Sequence, residues 1–128
     1  MVKKILFIED EASLQKAFGE ILRKEGYEMT SALNGEIGLK LAQKMAREGK
    51  LDLIILDLIL PKIDGFEVLK KLKEDEMTKY VPVIILTNLE GLKDVGKALE
   101  LGATTYLVKA NYSLEEVVTK IKQALSVK

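Results

Sequence analysis

The chain has 128 residues, the common length of one globular domain, and its 48% hydrophobic and 31% charged residues fit a folded protein rather than a disordered or membrane-embedded one. Lys plus Arg and Asp plus Glu number 20 each, so no surplus of positive charge is available to displace counterions from a nucleic-acid backbone, and direct nucleic-acid binding is not expected. Neither Cys nor His occurs, which excludes disulfide frameworks, thiolate metal sites, zinc hydrolysis and His-dependent catalytic triads.

The first apolar run, Lys4 to Ile8, predicts a strand covered on both faces. Leu14, Ala17, Phe18, Ile21 and Leu22 then recur at helical spacing and predict an amphipathic helix, closed by Gly26. A second strand is expected from Tyr27 to Ser31, followed by a helix whose buried face carries Ile37, Leu41 and Met45, with Gly49 beyond it. Leu51 to Leu56 predicts the third strand. Asp64 and Glu67, three residues apart, predict a capping box for the third helix, whose charged run from Lys70 to Glu76 reads as a solvated face. Val83 to Thr87 and Thr105 to Val108 predict the last two strands, with Gly102 ending the helix between them. Ser113 and Glu116 open the final helix with a second capping box, and Leu114, Val117, Val118, Ile121 and Leu125 form its apolar face. Five such alternations make a (βα)5 chain: an α/β fold with a doubly wound five-stranded parallel sheet, residues 1–128 forming one domain. No apolar run is long enough to span a bilayer and no leader-like segment opens the chain, so a cytoplasmic location without membrane association is expected.

In a doubly wound sheet the functional crevice lies at the carboxyl ends of the strands, beside the point where strand order reverses. Those ends carry Glu9 and Asp10 after the first strand, Asp57 after the third, Thr87 at the end of the fourth and Lys109 after the fifth. Carboxylates gathered in one crevice repel one another unless a cation lies among them, and an all-oxygen ligand set suits Mg2+ or Mn2+. A metal, a further carboxylate, an amine and a hydroxyl, without His or Cys, suit phosphoryl transfer. Asp57 is then the candidate nucleophile, Lys109 a point charge on one phosphoryl oxygen and Thr87 a hydroxyl donor to another.

Five features in order resemble the receiver domains of two-component response regulators, over essentially the whole chain. They are the acidic pair Glu9-Asp10, the segment Asp57-Leu-Ile-Leu-Pro61, then Asp64-Gly65, Thr87 ending an apolar strand, and Tyr106 three residues before Lys109. The resemblance implies a flavodoxin-like receiver fold with strand order 2-1-3-4-5. It implies Asp57 as phosphoacceptor, supplied by a sensor histidine kinase or histidine phosphotransfer protein, with the chain catalysing only its own phosphorylation and dephosphorylation. The metal ligands it implies are Asp10, Asp57 and the backbone carbonyl of Ile59, with Glu9 acting mainly through water. It further implies a switch in which Thr87 moves toward the phosphoryl group and Tyr106 turns inward. The surface from the fourth helix through the fifth strand to the fifth helix, roughly Leu92 to Ser126, then changes for an unidentified downstream partner or a phosphorylation-dependent homodimer.

Four features depart from the commonest family pattern. Glu9 stands where Asp is more frequent, Asn88 where a small residue is favoured, and Ala110 follows Lys109 where Pro is usual. Ile59 and Leu89 hold two positions at which polar side chains of fast-hydrolysing relatives orient water, which predicts slow loss of the phosphoryl group. A pseudo-receiver that serves only as an interaction module is the competing reading, favoured by Asn88 and Ala110. A flavodoxin-like cofactor binder is disfavoured because Glu9, Asp10 and Glu11 would repel its phosphate, and an Asp-nucleophile phosphatase because Ile59 stands where a second catalytic acid is needed.

Overall fold

The computed structural model describes residues 1–126. Five strands, β1 (Lys4–Ile8), β2 (Glu28–Ala32), β3 (Leu53–Leu56), β4 (Val83–Thr87) and β5 (Thr105–Val108), form one parallel sheet in the order β2-β1-β3-β4-β5. Between and after them run α1 (Ala12–Lys24), α2 (Gly35–Arg47), α3 (Gly65–Glu74), α4 (Leu92–Glu100) and α5 (Leu114–Ser126). The (βα)5 expectation and its strand order are met, and β1, β4 and β5 have the expected bounds. β2 starts one residue later than the sequence pattern suggests, because the Tyr27 N–H is taken by the Leu22 carbonyl at the end of α1. β3 starts at Leu53 rather than Leu51; ahead of it Asp52 donates its N–H to the Lys4 carbonyl and accepts the Lys4 N–H on its carboxylate. Among the described residues no helix is long and apolar enough to cross a membrane.

The sheet is packed on both faces, as its apolar central strands require. On one side Phe18 and Leu22 of α1 and Val117, Val118 and Ile121 of α5 pack on Phe7, Ile55 and Ile84. On the other, α2, α3 and α4 contribute Ala42, Val68, Leu69, Leu72 and Ala98 against Leu6, Ile8, Ile54 and Ile85. The buried face of α2 corrects the sequence reading: Ile37 is exposed, Leu41 and Met45 only flank the core, and the buried positions are Gly35, Gly38 and Ala42. The reason is distance. A Cβ on Gly38 would lie 2.7 Å from the Ile8 side chain, so only small residues let this helix approach the sheet.

Both helix starts flagged by spacing are capped. Ser113 and Glu116 form the reciprocal box, at 3.1 Å and 2.8 Å. Asp64 accepts the N–H groups of Phe66 and Glu67, whereas Glu67 does not return the bond and faces Lys71 instead at 3.9 Å. The charged run on α3 is not wholly a solvated face: Lys73 lies half-buried and donates to the carbonyls of Lys79 and Val81, stapling the turn that leads into β4.

The loop from β3 to α3 is held tightly. Gly65 donates to the Leu58 carbonyl at 2.9 Å, which draws the start of α3 against the loop backbone. Ile63 donates to Pro61 across Lys62, a three-residue turn that forces Lys62 to a φ of 74°. The same Pro61 carbonyl accepts the N–H of Gly35 at the start of α2.

Candidate functional site

The strand register brings the chemistry together. Ile8 pairs with Leu56, so the next residues, Glu9 and Asp57, leave the sheet side by side, and the Asp57 N–H donates to the Ile8 carbonyl at 3.0 Å. Thr87 pairs with Val108, so Lys109 emerges one residue beyond the end of β4. Its ammonium lies 2.9 Å from Asp57 Oδ2 and 2.6 Å from Glu9 Oε1. Asp57 Oδ1 accepts the Ile59 N–H at 3.1 Å, and Glu9 Oε2 accepts the Glu11 N–H at 3.0 Å.

One ammonium thus faces two buried carboxyl groups, with the exposed Asp10 close to both carboxyls. Glu9, Asp10 and Asp57 each offer an oxygen within 4.8 Å of the others, a cluster that could hold a metal ion. The donor set is all oxygen, as a hard divalent cation requires. Glu9 Oε1 supports that fit: it is buried, and the contact it makes there is a close ion pair with Lys109.

Burial pushes the Glu9 carboxyl up to about 7; the neighbouring Asp57 adds to the rise, while Lys109 and the Glu11 N–H oppose it. The Lys109 ammonium moves the other way from what burial alone would do, because its ion pairs with Glu9 and Asp57 outweigh its desolvation and raise it. A carboxyl that keeps its proton to about pH 7 must release it before it can face a cation. A divalent cation held by this cluster should therefore bind less tightly, by calorimetry, as pH drops through 7, by at most about tenfold per unit, with the affinity levelling off above. An affinity independent of pH between 6 and 8 would contradict this. In the cation-free chain the sign is opposite for stability: a raised carboxyl favours the protonated fold, so that contribution is present below the unfolded value of 4.5 and is lost as pH rises through about 7.

The remaining residues singled out from the sequence lie on the strands and loops that carry the site. Thr87 is fully buried at the end of β4, and its Oγ1 accepts the Leu89 N–H only weakly, at 3.5 Å. Tyr106, on β5, is half-buried against the α2–α3–α4 side of the core and donates its hydroxyl to the Leu89 carbonyl at 2.7 Å. Ile59 stands 53% exposed at the mouth. Lys109, Ala110 and Asn111 form a 3-10 turn, and no cis peptide bond occurs among the described residues, so Lys109 reaches Asp57 without a proline behind it. Asn88 lines a cavity of about 220 Å³ together with Glu11, Lys109 and Ala110, and with Leu14, Phe18 and Tyr112 behind them.

One residue escaped the sequence reading. Gln15 is 5% exposed, and its amide donates to the carbonyls of Phe7, Glu9 and Ala32, at the point where β1 and β2 end. The signal was available: Gln15 precedes Phe18 and Leu22 by three and seven residues, which puts a polar side chain on the buried stripe of α1.

Comparison with known proteins gives one answer. The family model described as the response regulator receiver domain matches residues 5–122. Among curated relatives, the transcriptional regulatory protein CiaR of Streptococcus pneumoniae is 41% identical over 95% of this chain and 51% of its own length. The alkaline phosphatase synthesis transcriptional regulatory protein PhoP of Bacillus subtilis is 38% identical over 98% of this chain and 49% of its own. The chain spans about half the length of these relatives. Among solved structures, the chemotaxis response regulator CheY4 of Vibrio cholerae superposes with a TM-score of 0.87 at 28% identity, covering 98% of this chain and 100% of that one. The Mn2+-bound form of response regulator Rcp1 gives 0.85 at 30%, covering 98% and 97%.

Proposed function

The chain belongs to the response regulator receiver domain family of two-component signalling, and from that premise we propose that it accepts a phosphoryl group on Asp57 from a phosphohistidine. The donor is a sensor histidine kinase or a histidine phosphotransfer protein. The observation that carries this reading is the setting of Asp57: nearly buried, oriented by the Ile59 N–H, held by Lys109 and within ligand distance of Glu9 and Asp10. An Asp57 oxygen attacks phosphorus, the P–N bond to the donor imidazole breaks, and the imidazole leaves with the bonding pair. A divalent cation, Mg2+ or Mn2+, neutralises the charge on the transferred oxygens when bound. Asp10, Asp57 and the Ile59 carbonyl would hold it directly, and Glu9 through water. Lys109 and the Thr87 hydroxyl hold the other phosphoryl oxygens in this reading. Uptake of one phosphoryl group from acetyl phosphate, stopped by chelating the cation, is the expected result; uptake unaffected by chelation would overturn the metal's part in it.

The switch that the resemblance to receiver domains implies is compatible with this geometry. Thr87 has only a weak bond to give up before its hydroxyl turns to a phosphoryl oxygen, and Tyr106 is tied to Leu89, two residues on. The helix beyond that loop, α4, buries Ala98 alone and leaves Leu92 90% exposed, so little packing opposes its movement. We take residues 1–128 as one cytoplasmic receiver domain that signals through the α4–β5–α5 surface, to a downstream partner or to a second phosphorylated copy.

Ile59 at the mouth and Leu89 beside Thr87 offer no polar group to a water attacking the acyl phosphate. Replacing either with a residue that can orient that water, Ile59→Asn or Leu89→Glu, should shorten the half-life of the phosphorylated form, by about tenfold. Half-lives unchanged in both variants would contradict the assignment. The alternative of a phosphorylation-independent interaction module rested on Asn88 and Ala110; against it, Lys109 reaches Asp57 despite Ala110. A folded, cation-loaded chain inert to both acetyl phosphate and a phosphohistidine donor would favour that module.

A further inference from the structure

We propose that Gln15 is a positioning residue for the cation site, holding the acidic turn between β1 and α1 in the geometry that presents Asp10; this rests on the cation-binding reading above. Glu9 donates its N–H to Ala32, the last rung joining β1 to β2. Its carbonyl accepts from Gln15 Nε2 at 3.1 Å and from no other donor among the described residues. That peptide is the pivot at which the chain turns from a buried carboxyl to an exposed one, and among the described residues its carbonyl is anchored by a side chain on the following helix alone.

The orientation of the amide is fixed by its surroundings. Reversed, it would set Oε1 against the carbonyl oxygens of Phe7, Glu9 and Ala32, which lie 2.8, 3.1 and 3.1 Å from Nε2. As placed, Oε1 is buried without a partner, an arrangement that packing alone does not call for. An apolar residue would remove that orphan but leave the Glu9 carbonyl unpaired and the turn held less firmly, through the Glu11 N–H bond to Glu9 Oε2. Groups that orient ligands from behind typically change metal affinity by about 10- to 100-fold when removed.

Gln15→Met keeps length and apolar volume and removes the donor. By calorimetry on the folded protein its Kd for Mg2+ should rise about tenfold, while phosphoryl uptake recovers at saturating Mg2+. Leu22→Ala, on the same helix face but away from the site, supplies the control: lowered Tm with Kd unchanged. In the unaltered chain, the Gln15 side-chain amide signals in the NMR spectrum should shift in step with Mg2+ occupancy, a readout that stands even where Gln15→Met fails to fold. A Kd within twofold of the parent, or amide signals indifferent to Mg2+, would overturn the role of Gln15 and leave the site itself standing. An unaltered chain that takes up no Mg2+ would overturn both.

Discussion

Lys109→Ala should slow phosphoryl uptake on Asp57 by roughly 10²- to 10³-fold at saturating Mg2+, the usual loss when one donor to developing oxyanion charge is removed. The same substitution has two further consequences of opposite sign. Among the described residues its ammonium is the one cationic partner of the buried Glu9 and Asp57 carboxyl groups. Removing one member of a buried pair leaves the other uncompensated, so the cation-free fold should lose about 3 kcal/mol, read from the denaturation midpoint. With the resident ammonium gone, a divalent cation meets no like charge and relieves the carboxyl repulsion, so Mg2+ should bind more tightly than to the parent and restore much of that stability. Slower uptake with tighter Mg2+ binding is the signature to look for. Slower uptake with weaker Mg2+ binding would mean that Lys109 supports the cation rather than competing with it.

Gly65→Ala should damage fold and function together. A Cβ at this position would lie 2.3 Å from the Leu58 Cα and 2.4 Å from the Asp57 carbonyl oxygen, both backbone atoms with no rotamer to escape into. The start of α3 must then retreat from the loop, breaking the Gly65 bond to the Leu58 carbonyl and shifting the peptides that carry Asp57 and Ile59. A loss of about 3 kcal/mol in denaturant unfolding is expected, with weaker Mg2+ binding by the fraction that remains folded. Gly26→Ala is the contrast, since at a φ of 90° its methyl meets strain but no neighbour within 4 Å and no part of the site. If Gly65→Ala lowers stability and leaves Mg2+ affinity untouched, the close approach serves the fold alone.

How much of this was legible in the sequence depends on what each feature needs. The strands announced themselves because β1, β3 and β4 are covered on both faces, and that demand is written directly as apolar runs. The site followed from the strand ends, since parallel register turns residues distant in the chain into neighbours at one edge: Glu9 beside Asp57, and Lys109 beyond the end of β4. Features set by the spacing between elements were not legible. The buried face of α2 was misread because periodicity favours large apolar residues, whereas the approach to Ile8 leaves no room for a side chain at Gly38. Lys73 was read as solvated because sequence cannot show that the turn after α3 aims the carbonyls of Lys79 and Val81 at its ammonium. Gln15 escaped because a polar residue on an apolar stripe becomes meaningful only once three strand-end carbonyls are seen to surround it.

The most direct measurement is the intact mass of the unaltered chain and of Asp57→Asn after incubation with Mg2+ and acetyl phosphate. Gain of one phosphoryl group by the unaltered chain and none by the variant is the expected result, and it would fix the acceptor as Asp57. Equal gain by both would place the phosphoryl group on another residue and contradict the central assignment.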